Sequence, residues 1–278
     1  MNRTYLGIDL GGTNFKLGKV KDQVVIEKVT LPVDSSQNET TLLEQLYDGI
    51  AQIVTDEVQA IGVGVPGVVN PDNGMIYDIQ NLPAWKEVGL QRLLEKRFGV
   101  PVKLNNDANC FALGEHRFGV GRRYQNFVGL SIGTGLGMGI IINGQLYNGV
   151  LCGAGEIGMI PYKDDVIEQY AGSFFFTKKY QQSAKEIHDL ALRRQPQALA
   201  AYEEFGQHLG EAIKIILLAY APEAIVIGGS IGEAYAFFRD GMESSISGFV
   251  YPAQLEALEV AVSKDKDIAI LGAAALVM

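Results

Sequence analysis

A strand that ends in a glycine turn and returns as a second strand occurs twice in this chain, once in each half. Thr4 to Leu10 is an unbroken apolar run of strand length. Gly11-Gly12-Thr13 interrupts it, Asn14 to Val20 alternates as the returning strand, and Val24 to Val29 follows as a third. The second copy reads Phe127 to Ile132, Gly133-Thr134-Gly135, Gly137 to Ile142 and Gln145 to Tyr147. A repeated unit of this kind predicts two lobes built on one plan by internal duplication. Between and after the copies, strand and helix alternate. Helical spacing covers Asn38 to Thr55, Trp85 to Phe98 and Ala108 to Phe118, with strands at Ala60 to Val65 and Val102 to Leu104. The later half reads as mainly helical (173–180, 184–192, 197–220), with one strand at Ala224 to Ile227 and a final helix from about Ile270 to Met278. The expected division is a smaller α/β lobe, 1–112, onto which the C-terminal helix (about 268–278) packs back, and a larger α/β lobe, 113–267.

Composition narrows the partners. At 278 residues the chain is long enough for two modest domains, and 23 basic against 32 acidic residues leave a net charge of −9, which offers no basic face to nucleic acid or to an anionic membrane. No apolar stretch approaches the ~18 residues of a membrane span. Met1 to Tyr5 enters a strand with no leader-like segment, and the two cysteines, Cys110 and Cys152, lie in separate motifs, so a reducing, cytoplasmic setting is expected.

Glycine is in excess, 33 residues where ~7% is usual, and its clusters stand at strand ends. After the first strand comes Asp9-Leu10-Gly11-Gly12-Thr13-Asn14-Phe15-Lys16. Such a turn can aim backbone N–H groups and the Thr13 hydroxyl at phosphate oxygens, and Asp9 can hold Mg²⁺ through water. The spacing is neither that of a Walker loop nor that of a dinucleotide fingerprint. Gly133-Thr134-Gly135-Leu136-Gly137 repeats the pattern, and Gly228-Gly229-Ser230 supplies a third strand-end turn on which a flat nucleoside could lie. Each cluster alone is also what a plain tight turn requires.

Seven motifs in fixed order carry a resemblance: D-x-G-G-T at Asp9 to Thr13, G-V-P-G at Gly64 to Gly67, N-L-P-x-W at Asn81 to Trp85, N-D-A-N at Asn106 to Asn109, G-T-G-x-G-x-G at Gly133 to Gly139, G-E-I-G at Gly155 to Gly158, and I-G-G-S at Ile227 to Ser230. The chain resembles, nearly end to end, the sugar kinases of the ROK family (repressor, open reading frame, kinase), of the glucokinase and N-acetylmannosamine kinase type. The resemblance implies an α/β, actin-like ATPase (ribonuclease H-like) duplicated fold of two lobes with a central cleft. It also implies phosphoryl transfer from ATP, with Mg²⁺, to a hexose or hexose derivative at the 6-hydroxyl. Sugar-responsive repressors of the same family carry a DNA-binding domain ahead of the phosphate loop, for which the position of Asp9 leaves no room. A non-catalytic sugar-binding regulator is the remaining alternative. Members are often dimeric, so a homodimer is compatible.

Carried onto this sequence, the resemblance makes Asp107 the catalytic base. It places Asp9, Gly11, Gly12, Thr13, Asn14, Lys16, Gly133, Thr134, Gly135, Gly137, Gly228 and Gly229 on the nucleotide and its metal, and Gly67, Asn81, Asn106, Asp107 and Glu156 on the sugar. Asn106 or Asp107 also suits a helix N-cap, and Asn81 a turn. Most members follow G-E-x-G with His and a Cys-rich zinc loop. Here Met159 takes the His position and Ile160 to Ile167 contains no Cys, so no zinc site is expected. Glu168, in Glu168-Gln169-Tyr170-Ala171-Gly172-Ser173, matches the segment after that loop and is the candidate second sugar carboxylate. His116, His188 and His208 fall in predicted helices outside the motifs, where packing or surface roles are expected.

Overall fold

The computed structural model describes residues 3–77, 79 and 81–278; Met1 and Asn2, the start of the segment read as leaderless, lie outside it. Two compact units result. The first comprises 1–123, 139–154 and 264–278, and the second 124–138 and 155–263.

In the first unit β1 (Thr4–Leu10), β2 (Asn14–Lys21) and β3 (Val24–Pro32) form an antiparallel meander. Helix α1 (Glu39–Ile53) follows, its start capped by the Asn38 side chain, which accepts from the Thr41 N–H. β4 (Val58–Val65) then pairs parallel with β1. A small antiparallel sheet of β5 (Val68–Asn70), β6 (Met75–Tyr77) and β7 (Glu87–Gly89) precedes α2 (Leu90–Phe98), which Gly99 ends at φ 70°. β8 (Val102–Asn106) adds parallel to β4, and α3 (Asp107–Arg117) follows at once. The main sheet runs β3-β2-β1-β4-β8. β1 and β4 are buried on both faces, as central strands covered by helices on two sides must be.

The helix expected over Trp85 to Phe98 is corrected here. Only Leu90 to Phe98 is helical, because Glu87–Gly89 pairs with Met75–Tyr77 as a strand and Trp85 is fully buried in the core of this unit.

The second unit opens with β9 (Phe127–Ile132) and the start of β10 (Leu136–Ile142), whose far end pairs with β11 (Gln145–Leu146) in the first unit. A hairpin of β12 (Pro161–Tyr162) and β13 (Asp165–Val166) leads into α4 (Glu168–Ala171), α5 (Phe174–Tyr180), α6 (Ala184–Leu192) and the long α7 (Pro196–Tyr220). β14 (Ala224–Gly228) pairs parallel with β9. After α8 (Tyr235–Ile246) and α9 (Pro252–Ala257), β15 (Glu259–Val262) pairs parallel with β14. Thus β9, β14 and β15 reproduce the parallel order of β1, β4 and β8, which is the duplication anticipated from the two glycine turns. Two helices and a strand (α8, α9, β15) lie where the sequence suggested no element. The final helix, α10 (Ile268–Ala275), packs on β1, β4 and α3 and ends before the expected Met278. No helix among the described residues is long and apolar enough to cross a membrane.

Candidate functional site

In the first unit the parallel register sets the site. Asp9 stands opposite Gly64, and Val65 opposite Asn106, so the C-terminal ends of β1, β4 and β8 deliver Asp9, the Gly64–Gly67 turn and Asn106-Asp107 to one sheet edge. This is the edge at which α/β sheets bind ligands. Asn106 is the N-cap of α3. Its Oδ1 accepts from the Ala108 N–H at 2.9 Å and the Asn109 N–H at 3.2 Å, while Nδ2 donates to the Gly67 carbonyl at 3.2 Å. Gly67 has φ +86°, a left-handed conformation that favours glycine. Asp107 is the first helical residue, where the helix dipole favours a negative charge. The expected N-cap and the expected base are therefore adjacent residues with separate geometries.

Asp9 faces Lys16 across the β1–β2 hairpin, Nζ lying 3.5 Å from Oδ2. Burial holds its carboxyl above the usual range, and Lys16 only partly offsets this. A cation beside Asp9 would favour its charged form. Among the described residues no group of three or more His, Cys, Asp or Glu is placed to hold an ion. A metal at Asp9 would thus be held mostly by water and phosphate, as Mg²⁺ commonly is. In the turn that follows, a Cβ on Gly12 would come 2.7 Å from the Asn81 Cβ, so Gly12 lies flat against the exposed Asn81.

The second unit gathers the remaining candidates. The Gly133–Gly135 turn closes on itself through Gly133 N–H to the Gly135 carbonyl at 3.1 Å. Ser173 N–H donates to the Gly133 and Thr134 carbonyls at 2.9 and 3.1 Å. A Cβ at Gly135 would overlap the Glu168 carboxylate, which also takes the Leu136 backbone N–H. Glu168, read as a sugar carboxylate, is therefore also the wall of the glycine turn. Gly228 stands opposite Ser131 in the β14–β9 pair, and Gly229 (φ +81°) leads to Ile231, whose N–H donates to the Ile132 carbonyl at 3.0 Å. Two glycine turns thus meet at the ends of adjacent parallel strands.

Glu156, exposed, follows Gly155 (φ +101°) and precedes a short 3-10 turn in which the Met159 N–H returns to its carbonyl at 3.2 Å. Its carboxyl is pushed up by partial burial and then by Glu168. Glu168 is pushed up by burial, with Asp165 adding to it. Ser173 and Gly172, which clasp the turn, were not singled out as site residues; their only signal was their place in Glu168 to Ser173.

The loop without cysteines is the β12–β13 hairpin, and an aromatic cluster holds it to α7. The Tyr162 hydroxyl hydrogen-bonds His208 Nδ1 at 3.0 Å, and Tyr170 packs edge-on against both rings, at 5.3 Å from Tyr162 and 5.0 Å from His208. Burial lowers the His208 pKa, with Glu204 opposing it. The hairpin is tied to α7 through these side chains. Dialysis against a chelator is expected to leave the thermal midpoint within about 2 °C, whereas zinc-dependent folds collapse. Equimolar zinc in the purified protein by elemental analysis would contradict this.

The family model for ROK matches residues 5–278. The chain belongs to the ROK family. Among relatives, it is 28% identical to a glucokinase of Thermotoga maritima over 98% of this chain and 96% of that one. It is 29% identical to a xylose repressor of Bacillus subtilis over 88% of this chain but 69% of the repressor. Among solved structures, a ROK family glucokinase from Streptomyces griseus, in complex with glucose and AMPPNP, superposes with a TM-score of 0.85 at 23% identity, covering 98% of both chains. The mixed sheets and the ROK membership together establish the actin-like fold.

Proposed function

We infer that this ROK-family chain is an ATP-dependent sugar kinase that phosphorylates a hexose or hexose derivative at its 6-hydroxyl, with Asp107 as the base. The observation that carries the reading is the edge shared by Asp9, Gly67, Asn106 and Asp107. It brings a carboxylate at a helix N-terminus, the buried Asp9 carboxyl and a glycine turn to the ends of neighbouring strands.

Phosphoryl transfer requires orientation and charge neutralisation more than covalent help. Asp107 accepts the proton of the attacking hydroxyl as its oxygen bonds to the γ-phosphorus and the bridging bond to ADP breaks. Asn106, rigid because both ends of its amide are engaged, and the exposed Asn81 present polar groups to the sugar, while Glu156 accepts from its hydroxyls. Glu168 commits one acceptor to the Leu136 N–H, and its other capacity remains for the sugar. The Gly11–Asn14 turn with Lys16, and the turns at Gly133–Gly137 and Gly228–Gly229, bind nucleotide. Mg²⁺, held through water at Asp9, would supply the charge that neutralises the phosphate oxygens.

The test is an ADP-release assay over glucose, N-acetylmannosamine, fructose and β-glucosides, with the phosphorylated position mapped by ³¹P NMR. Sugar-dependent ADP release is expected. Sugar binding with no ADP release across the panel would leave the regulator alternative standing.

Glu156 accepts sugar hydroxyls more strongly when ionised, and its raised pKa means that it gains its proton at a higher pH than an ordinary Glu. The KM for sugar is therefore expected to rise as pH falls, beginning above the usual Glu value of about 4.3, while the KM for ATP changes less. A sugar-KM profile flat down to that value would contradict the assignment.

A further inference from the structure

Asn105 and Asn109 flank the Asn106-Asp107 pair and have none of the roles given above, yet both are buried, at 4% and 0% exposure. The Asn105 Oδ1 accepts from the Asn106 backbone N–H at 2.8 Å and from Asn109 Nδ2 at 3.0 Å, and its Nδ2 donates to Asn148 Oδ1 at 3.0 Å. Asn109 Nδ2 also reaches the Cys152 carbonyl at 3.4 Å. All five residues belong to the first unit.

The segment they grip, Asn148 to Cys152, would not choose its shape alone. Gly149, Leu151 and Cys152 have φ of 63°, 53° and 56°, in the left-handed region that Leu and Cys avoid. Val150 at its tip is 85% exposed, whereas the Cys152 side chain is 1% exposed within the core. Local strain persists only where surrounding contacts over-determine it; here the two asparagine amides act together with the Ala154 N–H to Asn148 carbonyl bond at 3.0 Å, the Gly153 N–H to Val150 carbonyl bond at 2.9 Å and the burial of Cys152. Asn105 uses the donor and the acceptor of its carboxamide together, whereas Asn109 makes both of its bonds through the Nδ2 donor. Asp at 105 or 109 would set a carboxylate against the Asn148 oxygen or the Cys152 carbonyl.

We propose that Asn105 and Asn109 are positioning residues, a clamp that holds the strained Asn148–Cys152 strap against the start of α3 and so fixes the backbone presenting Asn106 and Asp107. The role in turnover rests on the kinase reading above; the clamp itself does not. A small misplacement of a positioned group can cost up to about a hundredfold in rate, and Asn105 controls the amide of the residue directly before the base.

The test compares Asn109→Ala, Asn148→Ala and Asn148→Asp with the wild type by two readouts. The first is alkylation of Cys152, resolved from Cys110 by peptide mass spectrometry. Burial raises the Cys152 thiol, so it should react slowly while the strap is held. The second is the split between kcat and KM. Both Ala variants are expected to label Cys152 at least about tenfold faster, and to lose about ten- to a hundredfold in kcat with the KM for ATP within about twofold. Asn148→Asp keeps the acceptor that Asn105 uses and should restore both readouts. Labelling at the wild-type rate in the Ala variants, or faster labelling with unchanged kcat, would overturn the proposal. Asn148 is partly exposed, so its variants decide the matter if Asn109→Ala fails to fold. If the wild type releases no ADP with any sugar, the kinase reading has failed, and the labelling rate alone decides whether the clamp exists.

Discussion

Asp107→Asn is expected to lower kcat for sugar phosphorylation by roughly 10²- to 10⁴-fold, the span that a positioned general base contributes, while leaving the fold intact. The substitution is nearly isosteric and sits at the first residue of α3. The Asp107 Oδ1 accepts the Ala108 N–H at 2.9 Å, and the Asn oxygen can do the same. What disappears is the negative charge. At a helix N-terminus that charge is worth about 0.3–1 kcal/mol of stability, a cost of a few degrees at most in the thermal midpoint. Sugar binding should persist, because Asn106, Asn81 and Glu156 are untouched. The measurement is kcat by coupled ADP release, with sugar affinity by calorimetry alongside. Near-normal turnover with intact binding would remove Asp107 as the base and leave positioning and charge neutralisation to carry the rate.

That residue also shows what was legible in the sequence. Asn-Asp before an apolar helical stretch announces a helix start, and α3 begins at Asp107 with Asn106 as its cap. The meander is equally readable: β1 is a continuous apolar run buried on both faces, and β2 alternates in sequence, although Leu17 to Val20 is buried without a break. Over Trp85 to Gly89 the helical expectation fails for a physical reason. Trp85 and Val88 stand three residues apart, as on one helix face, but the deciding interaction for Glu87–Gly89 is a strand partner at Met75–Tyr77, which spacing does not reveal. β15 was missed for the same reason, since Glu259–Val262 is a strand because Ala224–Ile227 lies alongside it. The Asn105–Asn109 clamp is still harder to foresee. Both residues look like ordinary polar positions until a strap brings Asn148 and Cys152 to them.

The glycines are the most instructive case. Their clusters suggest places where backbone meets nucleotide, but Gly12 is already crowded by the Asn81 Cβ and Gly229 by the Ile132 backbone, while Gly135 meets only the movable Glu168 carboxylate. The chain needs Gly12 and Gly229 for its own packing, and a ligand role stands beside that requirement. A second group belongs to no loop at all: Gly7, Gly62, Gly114 and Gly272 form the seat of α10. A Cβ at Gly7 would overlap the Ile270 carbonyl, at Gly62 the Ala273 carbonyl, at Gly114 the Ile268 carbonyl and at Gly272 the Cys110 carbonyl. These obstacles are backbone oxygens, which cannot swing aside as a side chain can.

Gly272→Ala is therefore a contest of known terms. Within a helix, Ala is favoured over Gly by about 1 kcal/mol. Against this, overpacking that forces backbone apart costs about 1–3 kcal/mol and occasionally more. Here the added methyl would also lie 2.8 Å from the Gly114 N, in a seat already closed by three other glycines. Sterics should win by about 1–2 kcal/mol, which at about 2–4 °C per kcal/mol for a chain of this size lowers the midpoint by about 2–8 °C, and Gly272→Val should fail to accumulate as folded protein. Gly248→Ala serves as the control, because nothing lies within 4 Å of a Cβ there, and its midpoint should hold or rise slightly. Calorimetry of the three variants separates the cases: an unshifted Gly272→Ala would mean that α10 can slide on β1, β4 and α3. A seat that tight has a consequence for the site, because the Gly272 contact is with Cys110, one turn into the helix whose first residue is Asp107. Displacing α10 should therefore lower kcat in the fraction of Gly272→Ala that remains folded, by moving the base without touching it.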